Sequence, residues 1–229
     1  MKICLDPGHG GSDPGAVNGT RYEKDDVLQL ALAAKPLLEA QGVDVILTRD
    51  ADKSISIIDR CALANKNGCD YFLSIHRDAA SASAYGISTW VHSKANSSTV
   101  GKAKSIHDSV LAVAPTYNRN VNKGTPQSYD DFGVNVNTTM ASALIEMGFI
   151  TNADDNKRFD EHFSQYAQAI AKGLCDALGV AYKKPEKPTG MIYRVQVGAF
   201  SIKENAERYA EDLRSKGYST IIKAEKVGE

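Results

Sequence analysis

The chain has no long apolar run, no surplus of either charge and no closely paired cysteines, and each absence removes a class of protein. A membrane-spanning helix needs about 18 or more apolar residues in succession, and none of that length occurs, so membrane insertion is not expected. At the start, Lys2 is followed by only Ile3, Cys4 and Leu5 before Asp6, too little for the apolar core of a secretory signal. The expectation is a product that first accumulates in the cytoplasm. Lysine and arginine number 27 against 28 aspartates and glutamates. The positive surplus that builds affinity for phosphate backbones is missing, so no nucleic-acid partner is expected. Cys4, Cys61, Cys69 and Cys175 stand apart with no C-x-x-C spacing and read as small buried hydrophobes.

What is present is an ordinary globular composition, 42% hydrophobic and 24% charged over 229 residues, enough for one sizeable core and a small appended module. Met1–Leu5 is a short strand-like run. Residues 27–41 carry apolar side chains at helical spacing up to Gly42, residues 43–47 read as a strand, 55–67 as a helix stopped by Gly68, and 71–76 as a buried strand. A further strand is expected over 86–92, a helix over 99–114, a polar loop after Pro115, an apolar strand over 143–150 and one long helix over 160–178. This β-α-β-α-β alternation predicts an α/β fold, a mostly parallel sheet with helices on both faces, whose ligands bind at the carboxyl ends of the strands. Lys183–Gly190 is rich in proline and lysine and marks a linker over 181–190. After it, strand-like residues 192–198, an amphipathic stretch 202–216 and strand-like 218–222 form one further β-α-β unit.

Three polar side chains fall where such a sheet places its ligands. His9 follows the first strand within Asp6-Pro7-Gly8-His9-Gly10-Gly11, His76 ends the 71–76 strand, and Glu146 interrupts the last apolar run. Glycines on both sides of His9 permit unusual backbone angles and close approach of a ligand. A phosphate cradle is the rival reading of this turn, but the G-x-G-x-x-G frame is absent and Asp13-Pro14-Gly15 turns the chain where the helix should begin. A charge within a core strand costs several kcal/mol unless it is paired, protonated or working in a cleft. Two histidines and a carboxylate are reasonable zinc chemistry, although no H-E-x-x-H spacing is present.

Taken in order, Asp6–Gly11, Glu23-Lys24-Asp25, Ser74-Ile75-His76 and Leu144–Asn152 resemble the four signature blocks of the zinc-dependent type 3 N-acetylmuramoyl-L-alanine amidases; Thr48-Arg49 and Arg60–Asn65 also resemble family positions. The resemblance covers roughly residues 1–180, the expected catalytic domain. It implies that His9, Glu23 and His76 hold Zn2+ and that Glu146 is the catalytic carboxylate. It also implies peptidoglycan as partner and the bond between muramic-acid lactyl and L-alanine as the one cut. On residue type alone Glu23 would be a first-turn glutamate favoured by the helix dipole. The chain departs from the pattern after His76, where Arg77 and Asp78 replace a small residue and asparagine, and upstream of Glu146 at Val136 and Ala141. Arg77 and Asp78 read as solvated loop charges, or Arg77 as a contact to a stem-peptide carboxylate. His107 and His162 are expected at a surface or interface, and His92 at a strand end, on the surface or near the cleft.

Residues 191–229 resemble the first half of a SPOR domain, a peptidoglycan-binding α+β module. Either the chain is a shortened form of a longer protein or two copies combine their halves as a homodimer. Without an export signal the wall would be reached after lysis or through a holin-type pore, as by an endolysin or a mother-cell autolysin in sporulation. The alternatives are an inactive wall-binding protein and a zinc peptidase that cuts a different stem bond.

Overall fold

The first strand, β1 (Lys2–Pro7), alternates its side chains between two cores, and that alternation organises the whole sheet. A computed structural model describes residues 1–128, 131–185, 196–215 and 220–224, divided into two units, Met1–Pro185 and Glu186–Glu229. In the first unit a short hairpin, β2 (Val17–Asn18) and β3 (Arg21–Tyr22), leads into α1 (Glu23–Glu39). Next come β4 (Asp44–Leu47), α2 (Ile57–Lys66), β5 (Tyr71–Asp78), β6 (Ile87–Val91) and α3 (Ser97–Leu111). The unit continues with β7 (Asn118–Lys123), α4 (Gly133–Asn137), β8 (Ala141–Phe149), α5 (Ala153–Glu161) and α6 (Phe163–Leu178).

The main sheet runs β4-β1-β5-β8-β6-β7, with β6 antiparallel to β8 and every other pairing parallel. Leu5, Leu73, Ile75 and Ile145 point toward α1, α3 and α6 in the larger core. Cys4, Phe72 and Leu144 point the other way, toward Cys61 of α2 and Val134 of α4. Helices therefore cover both faces, as the alternation predicts. Each fully buried Leu or Ile contributes about 1.5–3 kcal/mol, and Leu30 and Leu38 of α1 are both fully buried. The four cysteines are free and buried. Among the described residues no helix is long and apolar enough to cross a membrane.

Several expectations change. The helix expected over 27–41 begins at Glu23, so that residue opens α1 rather than preceding it. The stretch expected as one helix over 160–178 lies in two helices, α5 and α6, separated at His162, whose φ of −115° and ψ of 18° leave the helical region. The polar loop after Pro115 holds an edge strand and a five-residue helix, β7 and α4. His107 is not at a surface: it is 1% exposed, bonded to Thr89 Oγ1 at 3.0 Å and Asn118 Oδ1 at 2.9 Å. In the second unit the described residues form α7 (Lys203–Ser215), where Phe200 and Tyr209 pack with ring centroids 5.6 Å apart. The strand expected over 192–198 lies mostly outside the described residues, as does the start of the one over 218–222.

Candidate metal centre and active site

His9 sits on a turn that the sequence bends hard and the core holds in place. Its φ is +60°, followed by Gly10 at +123° and Gly11 at +61°. A non-glycine residue in that region costs of order 1–3 kcal/mol and persists only where its surroundings determine it. Two buried arginines do so. Arg60 donates to Asp6 Oδ1 at 2.7 Å, to Pro7 O at 2.8 Å and to His9 O at 2.5 Å. Arg49 donates to Pro7 O at 3.0 Å, Gly8 O at 2.7 Å and Lys24 O at 2.7 Å. Asp6 is further tied to Thr48 and Ser74 at 2.6 and 2.7 Å.

Glu23 is delivered by the first residue of α1 and is 3% exposed. Its Oε1 accepts from the Arg77 backbone N–H at 2.9 Å and lies 2.9 Å from His76 Nδ1. Its Oε2 accepts from Ala16 N–H at 2.8 Å and lies 3.2 Å from His9 Nε2. Burial opposes its ionisation, but the hydrogen bonds and charges of His76 and His9 outweigh that and hold the carboxyl well below the usual range. The His9 imidazole is raised above its usual value. Burial works against its protonated form, and Glu23 and Asp13 more than offset it.

One donor atom from each of His9, Glu23 and His76 falls within a sphere where all lie within 4.8 Å of one another. Asp13 Oδ2 holds the other ring nitrogen of His9 at 2.8 Å, the arrangement that fixes tautomer and orientation in metal-binding histidines. Gly8 and Gly15 leave the room: a Cβ on Gly8 would fall 2.2 Å from His76 Cε1, and one on Gly15 2.6 Å from Glu23 Oε2. Glu146 is the register partner of His76 across β5 and β8. It is 8% exposed and its Oε2 has no hydrogen-bond partner among the described residues. Burial, then the charges of Glu23 and Asp78, push its carboxyl well above the usual range. One buried carboxyl oxygen without a partner thus lies on the strand next to that of His76, beside three groups that could hold a metal ion.

Residues 3–176 match the family described as N-acetylmuramoyl-L-alanine amidase. The chain belongs to that amidase family. The sporulation-specific N-acetylmuramoyl-L-alanine amidase of Bacillus subtilis (strain 168) is 33% identical over 224 residues, covering 97% of this chain and 84% of the relative. The endolysin of Bacillus phage SPP1 is 34% identical over 199 residues, covering 82% and 72%. The crystal structure of N-acetylmuramoyl-L-alanine amidase from Clostridium difficile 630 superposes with a TM-score of 0.72 at 31% identity, covering 78% of this chain and 96% of that one. Residues 191–229 match the SPOR domain.

Within this amidase, Arg77 is not brought to the cleft. It is 2% exposed, pairs with Asp26 at 2.6 Å and with Asn156 at 2.6 Å, and lies 4.3 Å above the Phe159 ring. It is neither a solvated loop charge nor a substrate contact; it ties α1, β5 and α5 together beneath the site. Asp78 belongs to β5 and is half-buried, and burial raises its carboxyl. His92 lies just past β6, at the far end of that strand from Ser88, the partner of Glu146. His162 is half-buried at the α5–α6 junction. Sequence reasoning missed Asp13, whose signal was a carboxylate four residues beyond a candidate ligand, and the stapling roles of Arg49 and Arg60.

Proposed function

We infer that the chain is a zinc-dependent hydrolase of the amide bond between the muramic-acid lactyl group and L-alanine in bacterial peptidoglycan. One observation carries this: His9, Glu23 and His76 converge while Glu146, paired with His76, keeps a buried oxygen unengaged. Two nitrogens and one oxygen fit catalytic zinc, which takes three protein ligands and keeps a fourth position open. Bound there, zinc would polarise the amide carbonyl and acidify water. Glu146 accepts the proton as the water oxygen attacks the carbonyl carbon, and returns it to the alanine nitrogen as the C–N bond breaks. The products are a lactyl carboxylate and a free alanine amine. Burial and then the nearby carboxylates raise the Glu146 carboxyl, which favours its holding the proton between the two halves of that transfer. The match of residues 191–229 to the SPOR domain supports retention of the enzyme on glycan strands.

The test is digestion of purified walls with the full chain, following new alanine amino groups and the mass of released peptides. Release is expected to stop on chelation, to return with added zinc, and to fall about 10²–10⁴-fold in Glu146→Gln while zinc stays bound. Cleavage that survives both treatments would refute the reading, and products lacking a free lactyl carboxylate would assign a different bond.

A further inference from the structure

Beyond Glu146, at the carboxyl end of β8, the surface changes from carboxylates to an arginine framed by tyrosines. Arg119 lies on a bulge of β7: Ile87 pairs with Asn118 and Thr89 with Val121, so three steps on β7 match two on β6. Asn120 completes the bulge with φ of +65°. Bulges recur beside active sites, where they re-aim a side chain. The bulge is braced by Asn120 N–H to Asn118 Oδ1 at 2.8 Å and by Asn122 Nδ2 to Arg119 O at 3.0 Å. Gly86, at φ +110°, lets the two segments close, since a Cβ there would meet Tyr117 O at 2.3 Å.

The guanidinium is held by its base and left open at its tip. Nε donates to Tyr85 O at 3.0 Å, and the group lies 4.8 Å above the Phe149 ring and 5.7 Å from that of Tyr117. Tyr85 and Tyr117 are exposed, with ring centroids 5.8 Å apart. Among the described residues no carboxylate lies within ion-pair distance of Arg119, and its terminal nitrogens make no hydrogen bond. The other arginines around the site are committed: Arg49 and Arg60 to the His9 turn, Arg77 to Asp26 and Asn156, Arg21 to Asp26 and Asp160.

Placement points to the ligand. Phe149, beneath Arg119, is three residues beyond Glu146 on β8 and in register with Asp78. A bulge lies between Glu146 and Phe149, three residues of β8 matching two of β5 with Gly148 at φ of +87°, so the two stand about 7 Å apart along the sheet. A carboxylate on the residue after L-alanine lies about 8 Å beyond the cleaved bond in an extended stem. An exposed guanidinium with free terminal N–H groups offers a carboxylate a charge-assisted, two-pronged hydrogen bond. We propose that Arg119, flanked by Tyr85 and Tyr117, forms a subsite for the free carboxylate of the stem residue that follows L-alanine, and thereby selects acidic over amidated stems. This rests on the amidase reading.

The experiment compares two muramoyl tripeptides, one with that carboxylate free and one with it amidated, on the zinc-loaded full chain and on Arg119→Gln and Arg119→Lys. The wild type is expected to favour the acidic stem in kcat/KM. Arg119→Gln is expected to lose about 10- to 100-fold on the acidic stem, mainly through KM, and at least tenfold less on the amidated one, while Arg119→Lys keeps part of the preference. Equal losses on both stems, or a wild type indifferent to amidation, would overturn the subsite. A wild type that frees no alanine amine from either stem would instead overturn the amidase reading, and this one with it.

Discussion

Gly8→Ala is the sharpest test of how the candidate metal centre is built, because the change adds one methyl group and no backbone strain. Gly8 does not lie in the left-handed region, so alanine can adopt its backbone angles, and the cost is steric. The new Cβ would stand 2.2 Å from His76 Cε1, 2.4 Å from Nε2 and 2.7 Å from Nδ1, where ordinary contact begins at 3.4 Å. The backbone cannot yield easily: Gly8 N–H donates to Ile75 O at 3.0 Å and Gly8 O accepts from Arg49 at 2.7 Å. The imidazole must therefore move by roughly 1 Å, several times the ~0.2 Å tolerance of a metal-ligand bond. Overpacking of this kind costs about 1–3 kcal/mol of stability. Loss of zinc affinity should exceed the ~10–100-fold typical of outer-shell changes. Chelator-competition titration reads the affinity, and thermal unfolding of the metal-free protein reads the fold. Gly101→Ala is the control: this glycine lies inside α3 with open space around it, and alanine there should stabilise by about 0.5–1 kcal/mol without touching zinc. A Gly8→Ala protein that binds zinc within about threefold of wild type would show that the missing Cβ at Gly8 does not set the position of His76.

Other outcomes follow from the same geometry. Arg77→Met leaves Asp26 with Arg21 as its remaining cation; a broken buried pair costs about 3–5 kcal/mol, so Tm should fall by roughly 6–20 °C. The preference between acidic and amidated stems should survive that change, because Arg77 never reaches them. Asp13→Asn weakens the partner that orients His9 and should lower zinc affinity about 10- to 100-fold with little change in Tm of the metal-free chain. The raised His9 value sets a pH dependence. His9 must lose its proton to ligate, so zinc affinity should fall as pH drops through that value, and calorimetry in buffers of different ionisation enthalpy should register proton release near pH 6.5. In the metal-free protein the sign reverses: the raised value adds stability that is fully present below pH 6.5 and is lost as pH rises through the folded-state value.

The elements that carry the site were legible where an apolar run ends at a turn, as with β1 before His9 and β5 through His76. Glu146 was legible as a charge inside a core strand. Glu23 was not, because a glutamate at the start of a helix has an ordinary explanation, and only the ordered blocks of the family resemblance raised it. β7 was missed because Asn118–Lys123 is an edge strand with polar, largely exposed side chains and no apolar alternation. His107 was misplaced although its spacing held the answer. Ala103, Ile106 and Val110 define the buried stripe of α3, and residue 107 falls between them on the same face.

The two arginines show why residue type was a weaker guide than strand parity. Successive residues of a strand face opposite sides. Phe72 of β5 faces the α2–α4 core, while Leu73 and Ile75 face the core of α1 and α6. His76 shares parity with Phe72, so Arg77, one residue on, must share it with Ile75 and point beneath the sheet. Phe159 and Asp26 meet it there. An arginine next in sequence to His76 is for that reason poorly placed to share its cleft. The cation that can meet an acidic stem had to come from another strand, and it comes from the bulge on β7, 42 residues after Arg77, where no alternating pattern announces it. The pleat thus separates two tasks: Arg77 fixes the helix that delivers Glu23, and Arg119 stands where substrate passes.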